Sequence, residues 1–176
     1  MLMYPEFTPE VRAMIVGYRM AYEPARAKMV APHVTLVFGV KQITEPALVE
    51  LCEDVARRHE AFDVLFAGTR FEPDVLDGTF KGYLDIGVGA QEVRELHHAL
   101  YQGPHASEYH RDIEFVPHMT IATVQSEVEM LVAKRTVGRI PVPVFAPVRA
   151  LSVERLTGGR LTRLAKISLG KAKAQT

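Results

Sequence analysis

The sequence predicts a mixed fold of strands and helices, organised as one closed domain with two similar lobes. The 176 residues suffice for one core and are too few for two large domains. Strand-like and helix-like segments alternate along the chain. Residues 32–38 (PHVTLVF) align without gaps with residues 117–123 (PHMTIAT), so two units of about 85 residues look like copies of one another.

The first half begins with a β-rich apolar stretch at residues 12–18, which predicts a strand, and a second apolar run follows at 33–40. Thr44, followed by Glu and Pro, predicts the start of an amphipathic helix that extends to about residue 59. Alternation at residues 62–66 predicts a further strand. We place the first lobe at about residues 10–70 of a single domain that spans 1–176.

The second half repeats this order and forms a lobe at about residues 80–170. A helix is expected to stop at Gly103-Pro104, and the polar segment that follows is expected to be exposed. Ser126 and Glu129 form a capping-box signature for another helix. Strands are predicted at residues 83–88, 115–124, 142–145, 150–156 and 161–169, with Gly158-Gly159 as the turn between the last two.

The charge balance limits the classes of partner. The chain has 21 Lys and Arg against 21 Asp and Glu, which argues against a protein that holds long nucleic acid by bulk positive charge. Cys52 is the single cysteine, so no internal disulfide is expected, and a reducing, cytoplasmic location is predicted. No apolar run is long enough for a membrane span, and we expect a monomer without membrane association.

The repeated His-x-Thr pattern is the strongest candidate for a functional site. Residues two apart in a strand point to the same face, so His33 shares a face with Thr35, as His118 does with Thr120. The alternate residues then face the core. One such pair is more often a hydrogen-bonded structural pair, but two copies in matching contexts favour a site.

Two imidazoles on either side of one phosphorus suit acid/base chemistry. A neutral imidazole can deprotonate the attacking hydroxyl, while a protonated one protects the leaving oxygen. An unperturbed histidine pKa of about 6.5 allows both forms near neutral pH. The threonine hydroxyls can hydrogen-bond phosphoryl oxygens. This scheme needs neither a metal nor another cofactor.

The tetrapeptides His33-Val-Thr-Leu and His118-Met-Thr-Ile resemble the two signature motifs of the 2H phosphoesterase superfamily, which includes 2'-5' RNA ligase-like proteins and RNA 2',3'-cyclic phosphodiesterases. The resemblance extends over nearly the whole chain. It implies an α+β fold in which two antiparallel sheets with flanking helices surround a central cleft in a bilobal, pseudo-two-fold arrangement. It also implies that His33 and His118 act as acid and base and that Thr35 and Thr120 hold the phosphate.

One position departs from the family pattern. Many RNA ligase-like members carry an arginine shortly after the second motif, where this chain has Thr123. Lys41, Lys81 and Arg111 are candidates to replace that cation. Phe38 and Tyr83 are candidates for stacking on a base, with core packing as the other interpretation. The histidines and acidic residues of segment 105–112 match no metal-ligand spacing, and a solvated loop is expected.

The function favoured by these patterns is a metal-independent phosphoesterase that opens 2',3'-cyclic phosphates or related cyclic phosphodiesters. Its substrate is expected to be an RNA terminus or a small cyclic nucleotide. Two alternatives remain at this point: a module that binds phosphate or RNA ends with little catalysis, favoured by the missing arginine, and a 2'-5' RNA ligase. The sequence does not say which histidine is the base.

Overall fold

The computed structural model describes residues 1–109 and 112–170, and within these ranges it contains eight strands and five α-helices. The strands are β1 (Leu2–Met3), β2 (Val34–Thr35), β3 (Phe62–Pro73), β4 (Phe80–Ile86), β5 (His118–Val124), β6 (Val144–Val148), β7 (Ala150–Thr157) and β8 (Arg160–Ser168). The helices are α1 (Pro9–Tyr22), α2 (Pro24–Met29), α3 (Glu45–Arg58), α4 (Ala90–Leu100) and α5 (Glu127–Thr136).

The strands form two four-stranded sheets with antiparallel pairing throughout. The first sheet has the order β2-β1-β7-β8, and the second has the order β5-β4-β3-β6. Each motif strand is therefore an edge strand, and its only sheet neighbour among the described strands is the strand that precedes it in the chain. The α+β fold with two antiparallel sheets is confirmed.

The two sheets draw strands from both halves of the chain. Strand β3, which follows the first motif and helix α3, lies in the second sheet between β4 and β6. Strands β7 and β8, at the end of the chain, complete the first sheet beside β1. The first sheet therefore combines strands from the two ends of the chain, whereas the second is built from the four consecutive strands β3 to β6.

The predicted strand at residues 12–18 is wrong, because this segment lies inside helix α1. Thr8 caps the helix by accepting a hydrogen bond from the Val11 amide, and Pro9 occupies its first turn, where a missing N–H costs nothing. Ile15 and Tyr18 are buried on one face of the helix. This helical spacing outweighs the β preference of the local residues.

Several other predicted elements match the structure. Thr44 caps α3, the Ser126 and Glu129 capping box begins α5, and the turn between β7 and β8 places Gly158 and Gly159 at positive φ. The first motif run is mostly irregular, since only Val34 and Thr35 of residues 33–40 are in a strand. No helix in the described ranges is long and apolar enough to cross a membrane.

The segment after α4 is not simply an exposed loop. His105 is fully buried, and its Nε2 lies 2.9 Å from the Leu100 carbonyl oxygen. The histidine therefore ties this segment back to the end of α4. His110 and Arg111 lie outside the described residues. Cys52 is a buried free thiol, and burial raises its pKa to about 11.

Gly17 provides a direct test of helix α1. The residue is exposed, and an added Cβ would meet no atom within 4 Å. Gly17→Ala should therefore raise the free energy of unfolding by about 0.5–1 kcal/mol, and Gly17→Val should raise it less. Denaturant unfolding of both variants measures this order. A valine variant more stable than the alanine variant would indicate a strand and contradict the helix.

Candidate active site

The two His-x-Thr motifs lie next to each other in space. Cα atoms of the edge strands β2 and β5 approach within 8 Å, so the free edges of the two sheets face one another. Val34, Leu36, Met119 and Ile121 are buried, as the alternation predicts. The four motif side chains on the opposite face are only partly buried: His33, Thr35, His118 and Thr120.

Both motif histidines make the same backbone contact. His33 Nδ1 lies 2.8 Å from the Ala31 carbonyl oxygen, and His118 Nδ1 lies 2.6 Å from the Val116 carbonyl oxygen. A carbonyl only accepts, so Nδ1 must carry the hydrogen in each ring. The neutral imidazoles therefore present the Nε2 lone pair, and each can take up a proton there.

A proline precedes each histidine, and the contact between the imidazole and the backbone carbonyl explains why a proline is present there. Pro32 and Pro117 are buried, and each stands in the sequence between the histidine and the residue whose carbonyl oxygen the imidazole contacts. The pyrrolidine ring fixes φ near −65° and restricts the residue before it to extended conformations. Proline therefore holds the accepting carbonyl in place for both imidazoles.

The polar groups on the motif face are free to bind a ligand. Within the described residues, the hydroxyls of Thr35 and Thr120 have no hydrogen-bond partner, and neither does Nε2 of His33 or His118. None of the four groups is fully buried, so water or a ligand can reach each of them. Four unpaired groups on two adjacent strands form a concentrated set of donors and acceptors.

Cations surround His33. Its pKa is lowered to about 4, mainly by burial and also by the nearby Arg19 and Arg26 guanidinium groups, while the contact with the Ala31 carbonyl acts in the opposite direction. The Tyr4 ring lies beside it, with ring centroids 6.1 Å apart. The His33 imidazole is therefore held in its neutral form.

His118 has a different electrostatic environment. Its ring lies 4.3 Å from that of Tyr83, and the Arg70 guanidinium lies 4.5 Å from the same tyrosine ring. Arg70 is paired with Asp85, at 3.2 Å, and with Glu72. Burial lowers the pKa of His118, and Arg70 adds to this, whereas the Val116 carbonyl and the two carboxylates raise it.

A buried ion pair between Arg19 and Glu23 connects the two motifs. Arg19 Nη1 donates to the Val30 carbonyl oxygen at 2.8 Å, just before the first motif. Glu23 Oε2 lies 3.4 Å from Thr123 Oγ1 on the second motif strand. Burial raises the pKa of Glu23, with Arg19 opposing that shift. The sequence does not reveal this pair, because the strand predicted at residues 12–18 hides the helical spacing of residues 19 and 23.

His97 is a second residue that sequence reasoning missed. Its side chain is buried on α4, and Nδ1 lies 2.7 Å from the Leu36 carbonyl oxygen in the first motif. Its ring stacks on Phe115, just before the second motif, with centroids 3.7 Å apart. Burial lowers the pKa of His97. A helical histidine gives no sequence signal for contacts so distant along the chain.

The remaining candidates lie in varied surroundings. Phe38 is exposed over 59% of its surface, and Tyr83 lies between Arg70 and His118. The Lys81 ammonium is paired with Asp77 and Asp74. Lys41 is exposed, and its backbone amide donates to Glu108. In the described part of the chain, no group of three or more His, Cys, Asp and Glu side chains is arranged to hold a metal ion.

The lowered pKa of His33 predicts a dependence of stability on pH. The pKa of the His33 imidazole is 6.5 in the unfolded chain and about 4 in the folded protein, so between these pH values only the unfolded chain binds the proton. The free energy of unfolding therefore falls as the pH falls through this range. His33→Gln should weaken this decline by up to about 3 kcal/mol, summed over the interval. Chemical denaturation at several pH values measures it.

The matched control is His98→Gln, because His98 is exposed on α4. This variant should keep the pH dependence of the wild type. A His33→Gln variant whose unfolding free energy follows the wild-type curve between pH 4 and 6.5 would show that His33 is not held neutral.

Known proteins of similar fold place this site in context. The chain aligns over 98% of its length with 99% of TT0787 of Thermus thermophilus, at 25% identity and a TM-score of 0.61. The chain aligns over 97% of its length with 98% of the crystal structure of a phosphoesterase, at 18% identity and a TM-score of 0.59. E. coli LigT complexed with 3'-AMP gives 96% and 97% coverage, 20% identity and a TM-score of 0.56.

The sequence itself settles the family. No curated protein gives a significant match. The family model described as the 2'-5' RNA ligase superfamily matches residues 6–160, which include both motifs and most of the chain. The chain therefore belongs to the 2'-5' RNA ligase superfamily, the 2H phosphoesterase family that its two His-x-Thr motifs resemble.

Proposed function

We propose that this protein is a metal-independent phosphoesterase that opens 2',3'-cyclic phosphates or related cyclic phosphodiesters on RNA ends or small nucleotides. The observation that carries the proposal is the pair of imidazoles with the same backbone contact, each with Nε2 free, on adjacent edge strands. Unlike the unpaired ring nitrogens of His97 and His105, which are fully buried, Nε2 of His33 and of His118 can be reached by a ligand. Membership of the 2'-5' RNA ligase superfamily supports the same reaction class.

The reaction proceeds by an exchange of protons across the phosphorus. One imidazole accepts a proton from water at Nε2 as the water oxygen forms a bond to phosphorus. The bond between phosphorus and one ribose oxygen breaks, and the other imidazole, protonated at Nε2, donates its proton to that oxygen. The product is a phosphate monoester with a free neighbouring hydroxyl. Proton exchange with solvent restores both imidazoles.

The threonine hydroxyls orient the phosphate. Each lies two residues from its histidine on the same face of an edge strand, and neither has a protein partner in the described ranges. A hydroxyl that donates to a non-bridging oxygen stabilises negative charge as the phosphoryl group reacts. Thr35 and Thr120 therefore hold the phosphorus between the two imidazoles.

A cation from outside the motifs takes the place of the missing arginine. Thr123 contacts Glu23, and the Lys81 ammonium is already paired with acidic side chains. Arg26 is exposed and close enough to His33 to influence its pKa, which makes it available to a phosphate at the first motif. Arg70, near the second motif, is paired with Asp85 and Glu72 and is therefore not available in the same way.

The two histidines differ in a way that assigns their roles. Positive groups near His33 favour its neutral form, which suits a general base. The carboxylates of Asp85 and Glu72 near His118 favour its protonated form, which suits a general acid. We therefore assign His33 as the base and His118 as the acid for ring opening.

Phe38 is the better placed of the two aromatic candidates for stacking on a base. It is mostly exposed and lies three residues after Thr35. The Tyr83 ring is already in contact with Arg70 and His118, so Tyr83 acts by positioning those side chains.

Replacement of either histidine should abolish most of the activity. His33→Ala and His118→Ala should each lower the turnover of a nucleoside 2',3'-cyclic phosphate at least about a hundredfold, since each removes one proton transfer. His98→Ala is the control and should be fully active. EDTA should leave the wild-type rate unchanged. Wild-type turnover in His33→Ala would contradict the proposal, and a rate abolished by EDTA and restored by a divalent metal would contradict metal independence.

The pH dependence of kcat/KM tests the assignment of base and acid. Activity requires His33 neutral and His118 protonated, and both pKa values lie below 6.5, so the optimum should fall between about pH 4 and 6.5. The residual activity of His33→Ala should lose the decline at low pH. That of His118→Ala should lose the decline at high pH. The opposite pattern would exchange the two roles.

A binding module with little catalysis is the second candidate, and the presence of Thr123 after the second motif favours it. Such a module would bind a nucleoside 2'-phosphate tightly without turnover of any of several cyclic phosphates. Product analysis by ³¹P NMR, run beside calorimetric binding, separates the two functions. Adding RNA fragments with a 5'-hydroxyl and a 2',3'-cyclic end tests 2'-5' ligation in the same experiment.

A further inference from the structure

A groove of about 620 Å³ lies next to the first motif and is not used by the proposed reaction. Ala31 and Pro32, which lead into the motif, form one side of it, and Tyr4, whose ring neighbours His33, forms part of its wall. The far side is formed by strands β7 and β8 of the first sheet. The groove therefore borders the segment that leads into His33.

Strand register relates the groove to the phosphate-binding threonine. One row of paired residues crosses all four strands of the first sheet: Thr35, Leu2, Ser152 and Lys166. Directly paired residues of antiparallel strands point to the same face, and strands lie about 4.8 Å apart, so the Lys166 Cα lies about 14 Å from that of Thr35. The long, flexible lysine side chain can extend its ammonium group over several ångströms of this distance.

The charges of the groove leave two cations unpaired. Glu154 accepts hydrogen bonds from Arg163 and from the Tyr4 hydroxyl, and Glu6 is paired with Arg149 outside the groove. The side chains of Arg12 and Lys166 also line the groove, and neither has a hydrogen-bond or ion-pair partner in the described ranges. Both are exposed. The groove therefore carries unneutralised positive charge in a chain with no net charge.

Among residues 1–109 and 112–170, the two cations of the second sheet near its motif carry no such excess. Arg70 is neutralised by Asp85 and Glu72, and Lys81 by Asp77 and Asp74. An anionic extension of the substrate would therefore be attracted to the first sheet and not to the second. This difference in charge between the two sheets favours one orientation of the bound substrate, with its anionic extension over the first sheet.

We propose that Arg12 and Lys166 bind a second phosphate of the substrate, one attached to the 5' side of the nucleoside whose cyclic phosphate lies between the motifs. This rests on the proposed function for the position of the first phosphate. The shared chemistry is a phosphate on the 5' oxygen of that nucleoside. Its source is either the flanking phosphodiester of an oligonucleotide or the terminal 5'-phosphate of a small nucleotide.

Binding measurements test this without any turnover. Calorimetry at fixed ionic strength compares adenosine 2'-phosphate with adenosine 2',5'-bisphosphate and with an adenylyl dinucleotide that ends in a 2'-phosphate. The second phosphate should tighten Kd at least about tenfold, since it gains charge-assisted contacts. The Arg12→Gln, Lys166→Gln double variant should lose this advantage and keep its affinity for adenosine 2'-phosphate.

A charge-matched control separates local contacts from the overall field. Lys134→Gln with Arg139→Gln removes two exposed cations outside the groove, on α5 and just after it, and should keep the full advantage of the second phosphate. Tighter binding of both the bisphosphate and the dinucleotide would identify an oligonucleotide end. Tighter binding of the bisphosphate alone would identify a small nucleotide.

Three outcomes would overturn the inference: equal affinity of the wild type for all three ligands, binding of none of them, or an advantage that the groove variant retains. A wild type that prefers two phosphates but opens no cyclic phosphate would support the groove and contradict the phosphoesterase function. The two proposals therefore fail separately.

Discussion

The contact between each motif imidazole and the carbonyl two residues before it determines what the site can do. It places the hydrogen on Nδ1 and leaves Nε2 free in both rings, so both are ready to exchange protons in the same orientation. Proline between the partners fixes the geometry with no contribution from distant residues. A two-residue strand at a sheet edge would otherwise be a weak support for a catalytic group.

Distant residues determine how the two copies meet. His97 contacts the first motif through Leu36 and the approach to the second through Phe115. The Arg19–Glu23 ion pair on helix α1 links the same two regions, because Arg19 donates to the Val30 carbonyl and Glu23 accepts from Thr123. A buried ion pair gains little net stability, since desolvation offsets its attraction. Its value here is in position: it holds the segment before one motif against the strand of the other and places a cation near His33.

Local patterns in the sequence were sufficient for much of this fold and for the motif pairs. The period-two alternation around His33 and His118 predicts which side chains are buried, and the caps at Thr44 and Ser126 predict where two helices begin. Helix α1 was missed because its apolar residues also suit a strand, although Thr8-Pro9 is a helix-start signal. Arg70 and His97 could not be predicted, because strand pairing and helix packing bring them to the motifs from elsewhere in the chain.

Long-range ¹H–¹⁵N NMR of the histidine rings during titration with adenosine 2'-phosphate tests the central claim most directly, because it reports the tautomer and the ligand response of each ring. The account predicts that His33 and His118 both carry the hydrogen on Nδ1 in the free protein at neutral pH. It also predicts that one equivalent of ligand shifts both Nε2 resonances along a single saturation curve. A ring with its hydrogen on Nε2, or a ligand that shifts only one of the two histidines, would contradict a shared phosphate site.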